Sequence, residues 1–510
     1  MLNRDEIEKL YKEAYIFLES NDLEEVWRII SKLERSKSKY ACSLLSNLYI
    51  DLGLETKDSS LINKGIIYIE EHLDYISQIF TPASIYYNLA NGYLNYYSIT
   101  SEKFVNGENI IIKIKDLYKR SLTYNNGAEL NIKVQSLVNL GNLHMGLGRY
   151  IDALEYYENA LKLNPNFGMA LVNKGLCLLK LRFLVNHDDL ILKDSYLSFK
   201  KALKSNNLTF SARNIAQEHI KIFEENNSKE FLDNIKISRF KINDNYTNLE
   251  EFSNVFCLKN KLYLNLCNFC QQCVNCIGDS ICIKRMTLPI KENEKLEDDK
   301  FLILSSYLNQ IKMDFISSRL NLILSQYNKL DLSFINNNVI IIDSYDYELH
   351  NIRIQLLKDS FKNFYNILDK IAFFINFYLD LNINKKQVNF KGLWYKDFKK
   401  KKIRETFDFE NNGLKALFNI HEDILYGEEK KLNDIRNALT HRSLKIKLYP
   451  KEDENDAMTE EELLEAVIKI SKIVRNAIIY LLYFVDTIES EKQTDNSMVL
   501  FASEIPNDLK

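Results

Sequence analysis

Residues 134–167 read VQSLVNLGNLHMGLGRYIDALEYYENALKLNPNF. Leu137, Leu140 and Gly141 stand in its first half, Gly148 and Tyr150 at its middle, Ala153, Tyr157 and Ala160 in its second half, and Pro165 near its end. Outside this unit the chain is unusual for what it lacks. Its 510 residues hold 14 Gly and 5 Pro against 60 aromatics, where average usage would give roughly 36 and 26. So few turn formers argue against β-sandwiches, barrels and Gly-looped nucleotide folds, and predict an all-α chain of long helices. Hydrophobic residues at 46% and charged residues at 27% exclude wholesale disorder. A net charge of −3, from 67 basic and 70 acidic residues, does not point to a nucleic-acid coat protein. MLNRDEIEKL lacks the apolar core of a signal peptide. The longest apolar runs, IAFFINFYL and AIIYLLYFV, are about half the roughly 18 residues of a membrane span. A soluble cytoplasmic protein with reduced thiols is expected, with no cofactor and no membrane partner.

The quoted unit resembles the 34-residue tetratricopeptide repeat, a helix–turn–helix in which small Gly141 lets paired helices approach and Pro165 closes the unit. His144 stands where that family usually has an aromatic. Weaker copies flank it. Residues 168–206 repeat Leu171, Gly175, Phe199, Ala202 and Leu203 after an insertion around Asn186–Lys193. Upstream, Tyr86, Leu89, Ala90 and Tyr93 open a pair closed by Tyr118 and Leu122, and Cys42, Leu45, Tyr49 and Gly53 open an earlier one. With two amphipathic helices over 5–35, about five or six pairs stack as an α-solenoid. The resemblance implies a protein or peptide ligand on the repeat surface.

Between 236 and 300 the repeat pattern vanishes. Cys267, Cys270, Cys273 and Cys276 recur every third residue, with Cys257 and Cys282 nearby. Four thiolates suit tetrahedral zinc. Two C-x2-C knuckles, however, normally stand a dozen or more residues apart, and here the gap is two. The spacing therefore favours reduced, partly buried thiols over a closed zinc site, and no metal ligands are assigned. This irregular, Cys-rich connector separates a repeat domain over 1–235 from a helical bundle over 301–490, with a tail over 491–510.

The bundle opens with the amphipathic run 301–330, followed by NVIIIDSY at 338–345 as a short extended segment. Helical spacing of Phe361, Tyr365, Leu368, Ile371 and Ala372 continues through FFINFYL, and further helices are expected at 413–427, 430–447 and 459–490. On a wheel of the 430–447 helix, Ile435, Ala438, Leu439 and Arg442 form a core-facing stripe. Arg436, Asn437, Thr440 and His441 share the other side, with Asn437 one turn below His441.

Arg436-Asn437-Ala438-Leu439-Thr440-His441 resembles the R-x4-H motif of the HEPN superfamily, whose domains are small α-helical bundles and in many cases metal-independent endoribonucleases. FKNFYNILDKIAFFINFYLDL and YLNQIKMDFISSRL are similar to a bacterial HEPN subfamily, so the likeness covers about residues 300–490. It implies RNA cleavage by 2′-hydroxyl attack, leaving a 2′,3′-cyclic phosphate. His441 would shuttle protons and Arg436 would carry the phosphate charge, while Asn437 positions either the imidazole or the phosphate. Asp369 is a weaker catalytic candidate, orienting His441 or pairing with Arg436. A homodimer uniting two motifs is implied, as is RNA, tRNA included, as substrate. His421, His350 and Lys370 read as structural or solvated.

Residues 385–404, KKQVNFKGLWYKDFKKKKIR, carry nine Lys or Arg against one Asp. Lys399, Lys400, Lys401, Lys402 and Arg404 are the expected RNA contacts, with Phe390, Trp394, Tyr395 and Phe398 interspersed for base stacking. The leading expectation is thus a HEPN ribonuclease of a toxin or antiphage kind, with the repeats as sensor or partner surface. The alternative is a non-catalytic repeat regulator whose C-terminal bundle only dimerises.

Overall fold

The structure is a computed structural model. It describes residues 2–101, 104–105, 108–181, 189–226, 234, 245–266, 277–289, 298–451, 454, 456–492 and 497–501, apart from single positions 37, 126, 128, 207 and 344. Helices dominate, and polar residues start them. Asn3 caps α1 (Arg4–Glu19) with a reciprocal capping box to Glu6, and Asp22 caps α2 (Leu23–Arg35). Then come α3 (Lys39–Thr56), α4 (Ser59–Glu71), the single turn α5 (Leu73–Ile76) and α6 (Pro82–Thr100). Thr81 caps α6 and Pro82 occupies its first turn. A two-residue ladder, β1 (Phe104–Val105) with β2 (Glu108–Asn109), leads into α7 (Ile110–Tyr124). The series α8 (Leu130–Gly146), α9 (Tyr150–Leu163), α10 (Gly168–Leu181), α11 (Asp189–Ala202) and α12 (Phe210–Asn226) completes the repeat region.

The chain folds as two compact units: residues 1–143, 156–173 and 201–212 form one, and residues 144–155, 174–200 and 213–510 the other. In the first, Val26, Ile29, Leu33, Leu45 and Tyr49 are buried in one cluster. Gly141 is required because a Cβ there would overlap the Tyr157 ring. A polar device recurs between neighbouring repeats. Asn91 Oδ1 accepts from Tyr118 Oη (2.6 Å) and Asn139 Nδ2 (2.9 Å), and Asn142 Oδ1 accepts likewise from Tyr157 (2.9 Å) and Asn173 (2.7 Å). Each trio ties three successive helices through buried or half-buried amides, which fixes their register.

In the second unit, the connector contributes α13 (Leu249–Asn260) and β3 (Arg285–Pro289), so among the described residues it is not irregular throughout. Burial pushes the Cys257 thiol up to about 11, and Cys267, Cys270, Cys273 and Cys276 lie outside the described residues. The bundle consists of α14 (Asp298–Gln326), the short α15 (Ser333–Asn337), α16 (Ile352–Tyr378), α17 (Asn412–Leu425), α18 (Lys430–His441) and α19 (Glu460–Glu491). Helix α14 packs along α16, while α16 and α17 pack on α19, with Phe315–Phe364 and Tyr378–Phe484 rings edge-on at 5.2 and 5.4 Å. Helix α18 rests on α16 and α17. Small ladders join β4 (Tyr395–Asp397) to β5 (Lys402–Ile403), and β6 (Lys445–Ile446) to β7 (Ala457–Met458). Within the expected tail, β8 (Ser497–Phe501) pairs antiparallel with β3.

Residues 144–155, the turn between α8 and α9, pack into this unit. Arg149 is 7% exposed and bonds Asp152 and Asp423 (2% exposed) as well as Asn419. Tyr480 Oη donates to Asp152 (2.7 Å) and accepts from the Ile151 N–H (3.1 Å). Burial alone would depress the Arg149 pKa, but the two carboxylates outweigh it and hold the guanidinium charged.

Two local expectations change. Helix α18 stops at His441, not 447: Arg442 leaves the helical region (φ −131°, ψ −152°) and pairs with Asp456 at 3.1 Å, so it is not core-facing. Segment 338–345 forms no ladder among its described residues, although Glu348 bridges Lys447 just beyond it. Its Ile340, Ile342 and Tyr345 are 98%, 87% and 90% exposed.

Candidate functional site

Ile435 and Ala438 bury α18 against its neighbours, which turns Arg436, Asn437 and His441 away from the core. Arg436 and Asn437 are half-buried and His441 is exposed at the helix end. The guanidinium folds along its own helix. Nη1 donates to Asn437 Oδ1 at 3.3 Å and approaches His441 Nε2 at 3.5 Å, the outer edge of hydrogen bonding. The Tyr365 ring lies 5.7 Å below it, a cation–π distance that steers the side chain. Arg436 Nε is buried without a partner among the described residues. The residue as a whole is only half-buried, and a guanidinium is a strong donor to phosphate oxygens.

Beside Arg436 lies a cavity of about 270 Å³, lined among others by Tyr365, Asp369, Lys391, His421 and Asn433. Asp369 and Tyr365 stand four apart on α16, one helical turn, so both reach the same mouth. Asp369 Oδ1 accepts from the Phe390 N–H at 2.8 Å, which anchors the basic segment to α16. Burial raises the Asp369 carboxyl above the usual range; the Phe390 N–H and the Arg436 charge oppose this. Tyr365 Oη donates to Asn433 at 3.2 Å, and burial pushes its phenol up to about 12.

The structure thus brings together Arg436, Asn437 and His441, with Asp369 near Arg436 but bonded to Phe390 and not to His441. The basic segment is corrected in part. Phe390, Trp394 and Tyr395 are 5%, 0% and 5% exposed and pack around His421, so they are core and not stacking platforms; Phe398 alone is open. Lys399, Lys400, Lys401 and Lys402 are exposed at the β4–β5 turn, where Asp397 accepts from the Lys399 and Lys400 N–H groups. Lys401 sits over the Tyr426 ring at 4.5 Å, while Arg404 is half-buried and donates Nε to the Leu393 carbonyl. His421 is buried, its Nε2 3.2 Å from Tyr395 Oη, and burial lowers it to about 3. It is structural. His350 lies 3.8 Å from Glu348, and Lys370 pairs with Asp314 rather than standing free in solvent.

Sequence reasoning missed Lys391, Asn389 and Asn433 as cavity residues. Asn433, one turn before Arg436 on the same helix, was the one with a usable signal. Among the described residues no group of three or more His, Cys, Asp or Glu is placed to hold a metal, and no helix is long and apolar enough to cross a membrane.

No curated protein matches the chain. A crystal structure of MamA protein is similar at 19% identity with a TM-score of 0.25, covering 39% of this chain and 92% of that one. That likeness is too loose to argue from. The segment matches are informative: residues 296–488 match the LA2681-like HEPN family and residues 134–167 match the tetratricopeptide repeat, so the chain carries a HEPN domain preceded by a tetratricopeptide repeat.

Proposed function

We propose that the HEPN domain is a metal-independent endoribonuclease and that the repeats hold a regulatory or partner protein. The observation that carries this reading is the grouping on α18 of half-buried Arg436 and Asn437 with His441 at the exposed helix end, the guanidinium 3.5 Å from the imidazole. In the reaction a 2′-oxygen–phosphorus bond forms and the phosphorus–5′-oxygen bond breaks, giving a cyclic phosphate and a free 5′-hydroxyl. Arg436 neutralises the charge growing on the non-bridging oxygens, for which its planar fork is suited. An imidazole removes the 2′-proton, and a second proton donor serves the leaving oxygen. One His441 cannot stand on both sides of the phosphorus. A second copy of the chain, as the likeness to paired HEPN domains implies, would bring the other. The exposed Ile340, Ile342 and Tyr345, linked through the Glu348–Lys447 bridge to the strand after His441, are the surface we assign to that contact.

Lys399 to Lys402 then track the RNA backbone by charge, without base stacking from the buried aromatics. RNA cleavage of this kind, against tRNA or another cellular RNA, fits a growth-arresting toxin or antiphage effector. The test is incubation of the full chain and its Arg436→Ala and His441→Ala variants with total RNA in EDTA. Wild-type cleavage leaving cyclic phosphate ends, reduced at least 100-fold in both variants, is expected. Equal behaviour of all three proteins would leave the bundle as a dimerising module of a binding protein.

A further inference from the structure

Beyond the cleavage chemistry, the geometry points to a base-reading subsite: the cavity beside Arg436 accepts one unpaired guanine, and Asp369 reads its Watson–Crick edge. This inference rests on the ribonuclease reading for its place in the reaction, and on the cavity itself for its ligand.

Size comes first. At about 270 Å³ the space lies just under the ~300 Å³ at which pockets for whole small molecules begin. It suits one ring system and not a helix or a folded peptide. Position comes second. Arg436 belongs both to the cavity wall and to the motif helix, so a base seated here belongs to a nucleotide whose phosphate lies at that guanidinium. Unpaired RNA bases are read in this manner, splayed against aromatic surfaces and bonded along their edges.

The wall chemistry selects the base. Tyr365, half-buried, supplies the accessible aromatic surface, and the buried His421 imidazole in the wall carries no charge near neutrality because burial lowers its pKa to about 3. One Asp369 oxygen is fixed by the Phe390 N–H, whereas the other has no hydrogen-bond partner among the described residues. Also in the lining, Asn433 uses its Oδ1 to accept from Tyr365, which leaves Nδ2 as a donor, and Lys391 adds an ammonium. Guanine answers this set. Its adjacent N1–H and N2–H groups face a carboxylate, and its O6 faces the amide or ammonium. Uracil offers a single N–H between two carbonyls, and adenine and cytosine offer no pair of adjacent ring and exocyclic donors.

The experiment has two arms. In the first, the full chain cleaves a randomised single-stranded RNA pool in EDTA and the junctions are sequenced. Wild type enriches guanine at one fixed position beside the cut. Asp369→Asn, which keeps the acceptor for Phe390 but replaces the open oxygen by a donor, lowers that enrichment on the order of tenfold. The loss falls mainly on KM for a guanine-bearing oligonucleotide and less on kcat, unlike the loss from a general misfolding, which thermal melting monitors. Random junctions, or enrichment unchanged in Asp369→Asn, overturn the subsite while the ribonuclease reading stands.

The second arm needs no cleavage. The His441→Ala chain is titrated calorimetrically with guanosine, adenosine, cytidine and uridine monophosphates. Preference for the guanosine nucleotide by about tenfold, erased by adding Asp369→Asn, supports the subsite even if no RNA is cut, in which case the ribonuclease reading alone falls. Equal affinities, or no binding of any, overturn the subsite.

Discussion

His421 gives the sharpest physical test of the bundle. It sits on α17, 1% exposed, with aromatic rings of Trp394, Tyr395, Phe390 and Phe418 around it. Burial, with a smaller contribution from the Lys391 charge, lowers its pKa from 6.5 to about 3. A base whose folded pKa is depressed stabilises the fold above its unfolded pKa, and that stability is lost as pH falls towards the folded pKa. Between pH 6.5 and 3 the unfolded chain binds a proton that the folded chain refuses. At pH 5 this costs about 2 kcal/mol relative to pH 7. Replacing His421 by Phe removes the titration, so the variant should lack that increment of acid sensitivity, whatever its absolute stability. The chain has two Trp, and Trp394, at 6.0 Å from the imidazole and 0% exposed, reports on this unit while Trp27 lies in the other. Urea titrations followed by tryptophan fluorescence at pH 7 and pH 5 measure the difference. Should wild type and His421→Phe lose equal stability between the two pH values, the buried neutral imidazole is refuted.

Arg149→Leu leaves Asp423, 2% exposed, without its cation, and a loss of about 3–5 kcal/mol is expected; Asp423→Leu in the same chain should recover part of it, as denaturation of the four proteins of the cycle would record. Gly148 has φ +75° and a Cβ there would strike the Asn412 carbonyl, so Gly148→Ala should cost more than 1 kcal/mol in thermal unfolding, whereas Gly146→Ala, which meets nothing, should be neutral or stabilising. Replacing Lys399 to Lys402 by Ala should weaken RNA binding across sequences and reduce its salt slope by roughly three to four, measured by filter binding from low to moderate salt; an unchanged slope would remove the β4–β5 turn from the RNA path.

Much of this protein is local, and local information is written in order along the chain. Gly and Pro scarcity predicts helices because no backbone segment is forced out of the α region. The 34-residue unit is legible because each repeat packs mainly on its neighbours, so Gly141, Tyr157 and Pro165 do the same job wherever the unit stands. The wheel places Arg436, Asn437 and His441 on one side because, at 100° per residue, their offsets fall within an arc of about 140°. What one helix could not tell is where it stops. Arg442 was assigned to the core by continuing the period, yet the chain turns at His441 and Arg442 finds Asp456 instead.

Burial and convergence belong to the tertiary structure. Phe390, Trp394 and Tyr395 have the composition of a stacking surface, but their contacts with α17 make them core. Asp369 is drawn to the Phe390 backbone by packing across 21 residues, and Arg149 to Asp423 across 274. The cavity assembles α16, the basic segment, α17 and α18, which no spacing rule connects. Thus the sequence determined the helices, the repeat and the R-x4-H face, since each needs only near neighbours. Only the folded chain decided which aromatics are buried, where the carboxylates find their charge partners, and that a pocket opens beside Arg436, because these depend on distances between segments far apart in the chain.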